Sequence, residues 1–114
     1  MTNNFMSITL KNNLNGDIMV LKCFANGDML VGVNDKYTNL EGLNWNVAAI
    51  VKEFPDLDGR LPEDIKREGV SRFKSHIRSC ITWDARKNSI VKSLLPFGYE
   101  LLFWTDICGR VRRS

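Results

Sequence analysis

The stretch NGDIMVLKCFANG, residues 15–27, decides the fold, because it encloses a short apolar segment between two Asn-Gly dipeptides. Asn-Gly is a strong short-range signal for a hairpin turn, since both residues adopt positive φ at low cost. The enclosed segment is apolar at both alternating sets of positions, which is typical of a central strand covered at least in part on both faces. The second dipeptide, Asn26-Gly27, predicts a type I′ turn leading into a strand over residues 29–33.

A further strand precedes this stretch. Between residues 5 and 10, Met6, Ile8 and Leu10 alternate with two polar residues. This alternation is typical of a half-buried strand, in which every second side chain faces the core. A meander of three antiparallel strands is therefore predicted before residue 34.

Helical periodicity replaces the strand alternation after residue 35. Thr38 and Glu41 have the spacing of a capping box, which predicts the start of a first helix. Pro55 ends this helix. Its inward face is predicted at positions i, i+3, i+4 and i+7, which are Val47, Ile50, Val51 and Phe54.

Two further helices are predicted between residues 62 and 95. Pro62 suits the first position of a helix, and apolar residues then recur every three or four positions as far as Cys80. Gly69 on this face either weakens the helix or lets another element approach closely. Thr82 or Asp84 is predicted to cap the third helix.

An apolar run near the C-terminus completes the predicted fold. Residues 99–105 form a strand that needs cover on both faces or an interface. The fold class is α+β, with an N-terminal three-stranded antiparallel meander, two or three helices packed on one face and one returning C-terminal strand. We expect a single domain over residues 1–108 and a basic C-terminal tail over residues 109–114.

Composition and cysteine spacing exclude several classes of protein. Hydrophobic residues make up 44% and charged residues 25% of the chain, as in ordinary globular domains. No apolar run approaches the roughly 18 residues that cross a bilayer, and no signal peptide is apparent, so we expect a cytoplasmic protein without a membrane partner. Cys23, Cys80 and Cys108 are too widely spaced to suggest a disulfide framework or a zinc site.

Positive charge is concentrated in the second half of the chain. Residues 1–57 carry a net charge of −2 and residues 58–114 a net charge of +5. Such a distribution can mark a surface for phosphates, although a solvated helical face, partly neutralised by i,i+4 pairs, is the alternative. The candidate nucleic-acid-binding residues are Lys66, Arg67, Arg72, Lys74, Arg78, Arg86, Lys87, Arg110, Arg112 and Arg113.

Aromatic residues provide candidates for two kinds of contact. Bases stack on exposed aromatic rings in single-strand binders, and tryptophan and arginine supply much of the binding energy in protein interfaces. The aromatic candidates for stacking are Phe5, Tyr37, Trp45, Trp83, Tyr99 and Trp104. The candidate residues for binding a protein partner are Arg67, Lys74, Arg78, Trp45 and Trp83.

No catalytic set, metal site or cofactor site is predicted. His76 is the only histidine and could touch Cys80 at i+4, but a cysteine nucleophile also needs an orienting group and oxyanion donors. Asp56, Asp64 and Lys66 loosely match the acid and lysine pattern of metal-dependent nucleases. In those enzymes the acids lie on neighbouring strands, whereas Asp64 and Lys66 here fall in a predicted helix.

The sequence therefore favours a small non-enzymatic interaction or inhibitor protein that binds a larger protein or nucleoprotein partner. Its helical face or its strand edges would make the contact. An inhibitor encoded by a virus or a mobile element would fit this description. A nucleic-acid-binding module is the alternative and a metal-dependent nuclease the third hypothesis. Unpaired strand edges also leave a homodimer open.

Overall fold

The computed structural model describes residues 5–40 and 45–113, and these form one antiparallel sheet with three helices. The strands are β1 (Phe5–Asn12), β2 (Ile18–Phe24), β3 (Met29–Val33), β4 (Lys36–Asn39), β5 (Tyr99–Thr105) and β6 (Val111–Arg112). The helices are α1 (Val47–Glu53), α2 (Pro62–Ser79) and α3 (Trp83–Leu94), with 3₁₀ turns at Pro55–Leu57 and Leu95–Phe97.

The sheet has the strand order β4-β3-β2-β1-β5-β6. Strands β1 to β4 form a meander, and β5 returns after the helices to pair with β1 on its other side. The predicted α+β class and the returning strand are confirmed. The sheet contains two strands more than expected, because β4 extends the meander and β6 forms within residues 109–114.

Strand β4 replaces the predicted beginning of the first helix. Asn34 and Asp35 have φ angles of 52° and 64°, as the two central residues of a type I′ hairpin turn require. This turn brings Lys36 opposite Val33, and Thr38 then pairs with Val31 in the sheet. The prediction that Thr38 caps a helix is therefore wrong. Glu41, its predicted capping partner, lies outside the described residues.

The turn between β2 and β3 also differs from its prediction. Of Asn26 and Gly27, only Gly27 has a positive φ, so the predicted type I′ turn does not form. The Phe24 amide instead donates to the Asp28 carbonyl oxygen at 2.8 Å, which closes a three-residue loop over residues 25–27. A Cβ at position 27 would overlap the side chain of Arg78, so this glycine also lets α2 approach the turn.

The helices begin where side chains or proline satisfy their first turns. Asn46 caps α1 by accepting from two backbone amides at 2.9 and 3.3 Å. Thr82 caps α3 by accepting from the Ala85 amide at 3.0 Å, and Pro62 is the first residue of α2. Gly69 lets α1 pack closely on α2, because a Cβ there would lie 2.9 Å from a methyl carbon of Ile50.

The core lies between the helices and one face of the sheet. On the central strands, Met6, Ile8 and Leu10 are fully buried, and Leu21 beside them is buried as well. The helices contribute the residues that cover these side chains, among them Ile50, Ile65, Phe73, Ile77, Ile90 and Leu94. Within the part of the chain that the structure describes, no helix is both long and apolar enough to cross a membrane.

Two leucines on opposite faces of the sheet provide a test of this one-sided core. Leu21 is fully buried, whereas Leu30 on the neighbouring strand is 40% exposed. Leu21→Ala should lower the free energy of unfolding by about 3 kcal/mol, because it leaves a cavity. Leu30→Ala should lower it by about 1 kcal/mol or less. Urea unfolding of both variants checks this, and equal losses would contradict a core on one face only.

Candidate functional site

The second face of the sheet is not covered by any helix that the structure describes. Strand alternation directs its side chains away from the core, and its apolar residues do not belong to the hydrophobic core cluster. We call this surface the open face. It consists of Phe5, Ser7, Thr9, Lys11, Ile18, Val20, Lys22, Phe24, Leu30, Gly32, Tyr37, Asn39, Phe103 and Thr105.

Large apolar side chains on the open face reach solvent. Ile18 and Leu30 are each 40% exposed, and Tyr37 is 56% exposed. Phe103 pairs with Thr9 on the central strand β1 and is half-buried among its neighbours. The neighbouring strands β3, β2, β1 and β5 and the edge strand β4 thus contribute apolar side chains to one surface. Contiguous exposed apolar patches usually mark sites of interaction.

Lys22 lies in the middle of the open face between two aromatic rings. Its Nζ atom is 5.2 Å from the centroid of the Phe5 ring and 5.1 Å from the centroid of the Tyr37 ring. The Tyr37 ring reaches across β3 because Gly32 leaves space for it, and a Cβ at Gly32 would lie 2.6 Å from the ring. Phe24 continues the aromatic group, with its ring 5.4 Å from that of Phe5.

A groove of about 760 Å³ opens at the end of the open face beside the turn between β2 and β3. Phe24, Leu30 and Asn39 of the open face line it, together with residues of the turn and Lys74 of α2. The groove is continuous with the apolar surface, so the open face combines a flat apolar region with a recess at one end.

The helical side of the molecule uses several of its predicted binding arginines internally. Arg72 donates to both carboxylate oxygens of Asp56, at 2.9 and 2.6 Å, and to Glu68 at 3.3 Å. Its guanidinium group also lies 5.0 Å from the centroid of the Phe54 ring. The hydrogen bonds that Arg72 donates to Asp56 lower the pKa of this carboxyl group, and the bonds that Arg72 donates to Asp56 and Glu68 raise the pKa of the guanidinium group.

Arg86 ties the turn between β2 and β3 to the junction of α2 and α3. Its guanidinium group donates to the carbonyl oxygens of Phe24, Ala25 and Cys80 at 3.4, 3.1 and 3.3 Å. It also stacks on Trp83, with 5.0 Å between guanidinium carbon and ring centroid. Arg86, a candidate for nucleic-acid binding, and Trp83, a candidate for binding a protein partner, thus contact each other and stabilise the junction, and Trp83 is half-buried.

Two further cations lie against one buried indole. Lys87 is only 8% exposed, and its Nζ atom is 5.3 Å from the centroid of the Trp104 ring. The guanidinium group of Arg112 lies 5.5 Å from the same centroid and donates to Asp106 at 2.9 Å. These contacts stabilise the end of the sheet and reduce the charge available to a partner.

The remaining candidate cations do not form one uninterrupted stripe. Arg67 has a side chain 75% exposed but lies 3.3 Å from Asp64, and Arg78 lies 3.6 Å from Asp28. Lys74 also interacts within the chain. Lys66 is half-buried, and Arg110 and Arg113 are exposed near the C-terminus.

Trp45, predicted as a partner-binding residue, lies in the core with only 7% of its surface exposed. Its Nε1 donates to the Leu40 carbonyl oxygen at 2.9 Å, and its ring packs against Phe97 and Phe73.

Sequence reasoning missed Lys22, although a single charge within the apolar run 18–24 was a visible signal.

The residues considered for catalysis form contacts within the chain. Asp56 is paired with Arg72, and Asp64 with Arg67. No three metal-ligating side chains come together among residues 5–40 and 45–113. The Cys80 thiol lies 3.4 Å from the carbonyl oxygen of His76, which makes the backbone its hydrogen-bond acceptor.

Comparison with known proteins identifies no relative, because no family model, curated protein or solved structure matches the chain. Function is therefore inferred from the surfaces that the fold presents.

Asp106 organises the turn that leads from β5 to β6. One carboxylate oxygen accepts from the amides of Cys108 and Arg110, at 3.0 and 2.9 Å, and the other accepts from Arg112 at 2.9 Å. The amide of Arg110 contributes most to lowering the pKa of Asp106, and Arg112 lowers it further. Because ionised Asp106 is preferred in the folded chain, it stabilises the fold at neutral pH.

Asp106→Asn should lower the free energy of unfolding at pH 7. The amide oxygen still accepts from the backbone, but the ion pair with Arg112 is lost. The ionised carboxylate stabilises the wild type above the pKa of the unfolded chain, about 3.9, and that contribution disappears as the pH falls through the lower folded pKa. Urea unfolding at several pH values should therefore show a difference between wild type and variant that shrinks in acid. A difference independent of pH would contradict this role.

Proposed function

We propose that the chain is a non-enzymatic binding protein whose protein partner docks on the open face of the sheet. One observation carries this proposal: contiguous apolar side chains on that face are exposed, with Tyr37 56% and Leu30 40% accessible. Burying them against a partner would be favourable by about 25 cal/mol for each Å² removed from water.

The composition of the open face suits a protein interface. Apolar and aromatic side chains surround Lys22 on this face, Lys11 and Asn39 stand toward its ends, and Glu100 lies opposite Lys11 in the strand register. Interfaces commonly combine an apolar centre enriched in aromatic residues with a polar rim. The paired strands fix the backbone of this face before binding, so little backbone entropy is lost on docking. Occlusion of a site on a larger partner would make the chain an inhibitor.

Leu30→Glu should abolish recovery of the partner when the tagged chain is used for affinity capture from lysate of its source cells. The substitution places a carboxylate on the open face opposite Lys22 in the strand register, where it would occupy the lysine ammonium group and where docking would bury the added charge at high cost. Leu61→Glu is the matched control, because Leu61 is 70% exposed at the start of α2 and lies away from the open face. The control should retain the partner.

Nuclease treatment of half of each lysate separates the two classes of partner. A protein that survives nuclease, binds the wild type and Leu61→Glu, and is lost with Leu30→Glu supports the proposal. Retention of that protein by Leu30→Glu would contradict docking on the open face. Circular dichroism of each variant verifies that the fold is intact.

Nucleic-acid binding is a second candidate, and the aromatic pair around Lys22 favours it. Single-stranded nucleic acids stack their bases on exposed rings of a sheet and contact nearby cations through their phosphates. Tyr37 and Phe5 could provide such rings. The helical cations predicted from sequence offer a different surface for the same ligand.

Binding of nucleic acid through the open face and binding through the helices predict loss of affinity in different variants. Fluorescence anisotropy with a labelled oligothymidylate would measure the dissociation constant at several salt concentrations. Contact through the open face predicts about tenfold weaker binding of Tyr37→Ala. Contact through the helices predicts loss of affinity when Arg67, Lys74 and Arg78 are all replaced by alanine. Binding that does not weaken with salt would contradict both, since phosphate contacts release counterions.

A further inference from the structure

Lys22 places one positive charge in the centre of an apolar surface. Its neighbours across the strands, Ser7 and Leu30, are uncharged, and no carboxylate of the described residues forms an ion pair with it. The rings of Phe5 and Tyr37 hold the ammonium group in position but accept no conventional hydrogen bonds. Within residues 5–40 and 45–113, its three N–H donors are therefore left to solvent.

A partner that covers the open face would remove this solvent from Lys22. An ammonium group loses much free energy when it is buried without an acceptor, and an anionic acceptor compensates best. Charge complementarity therefore determines what must lie opposite Lys22. This inference rests on the proposed function. We propose that a segment of the partner protein contacts the open face and carries one aspartate or glutamate flanked by large apolar side chains.

The distribution of charge favours a carboxylate over a phosphate chain. A nucleic acid carries a phosphate at every nucleotide and is bound by several cations along its path. Among the strand residues by which the open face was defined, the one other cation is Lys11, which lies opposite Glu100 in the strand register, and Lys74 lines the groove at the end of the face. Arg72 and Arg86, on the helical side, are held by groups of the chain itself.

A second copy of the chain fits this face poorly. Face-to-face pairing about a two-fold axis near its centre would bring the two Lys22 ammonium groups together, and like charges in a buried interface are unfavourable. We therefore assign the acidic group to a different protein and not to a copy related by such a two-fold axis.

Selection of displayed peptides tests the inference with a defined probe. A library of short random peptides is selected for binding to the immobilised wild type. The selected peptides are then tested on Leu30→Glu, which changes the open face, and on Leu61→Glu, the control. We expect enrichment of peptides that carry one acidic residue among aromatic or aliphatic residues. Such a peptide, made with a fluorescent label, should bind wild type and Leu61→Glu and fail to bind Leu30→Glu.

A double-mutant cycle then isolates the contact with Lys22. Replacing the acidic residue of the peptide by its amide should weaken binding to the wild type by about tenfold or more, but change binding to Lys22→Met by less than about twofold. Lys22→Arg, which keeps the charge, should retain the preference for the acid. Urea unfolding of both variants verifies that they remain folded.

Each contrary result has one meaning. Equal weakening with wild type and Lys22→Met would overturn the acidic contact but leave docking on the open face intact. Peptide binding that persists in Leu30→Glu would overturn the docking face itself. Absence of any selected peptide above bead background, or tighter binding of oligothymidylate than of the best peptide, would overturn both in favour of another ligand.

Discussion

The pairing of β1 with β2 on one side and β5 on the other is the constraint on which the structure depends. These three strands carry apolar side chains on both faces, as Ile8 and Leu21 on one face and Val20 and Phe103 on the other illustrate. The three helices pack on the first face only. Because a strand cannot direct all its side chains to one side, the second set is left to contact solvent or a partner.

The cations of the second half of the chain show how such a fold uses charge internally. Arg86 satisfies three backbone carbonyl groups at the junction of turn and helices, and Arg72 joins two carboxylates. A guanidinium group is suited to this because its donors are fixed in a plane and it is weakly hydrated. Basic residues at helical spacing can therefore stabilise contacts between elements as readily as they can form a binding surface.

The sequence predicted the fold class, the returning strand and the second and third helices, because these depend on periodicity and on local signals such as Pro62 and Thr82. It failed at β4, since Asn34-Asp35 forms a type I′ turn without the glycine by which such turns are usually recognised. Thr38 then satisfied a capping pattern by coincidence. Pattern alone does not distinguish a cap from a short edge strand.

The candidate site was harder to predict than the fold because it depends on which elements leave a surface uncovered. Trp45 and Tyr37 are both aromatic residues near polar neighbours, yet one is 7% and the other 56% exposed. The difference arises from tertiary packing: Phe73 and Phe97 surround Trp45, whereas Gly32 lets Tyr37 lie flat on the sheet. Composition near each residue could not reveal this.

In the proposed complex, the position of Lys22 would also oppose association of the open face with surfaces that carry no acid. A charge at the centre makes burial against any neutral surface unfavourable, whereas a partner with an acid recovers the lost hydration. The contacts with Phe5 and Tyr37 limit the freedom of the lysine before binding, so less side-chain entropy is lost when the acid arrives. In the proposed complex, this one lysine would therefore select the partner, and the surrounding apolar residues would supply the buried area.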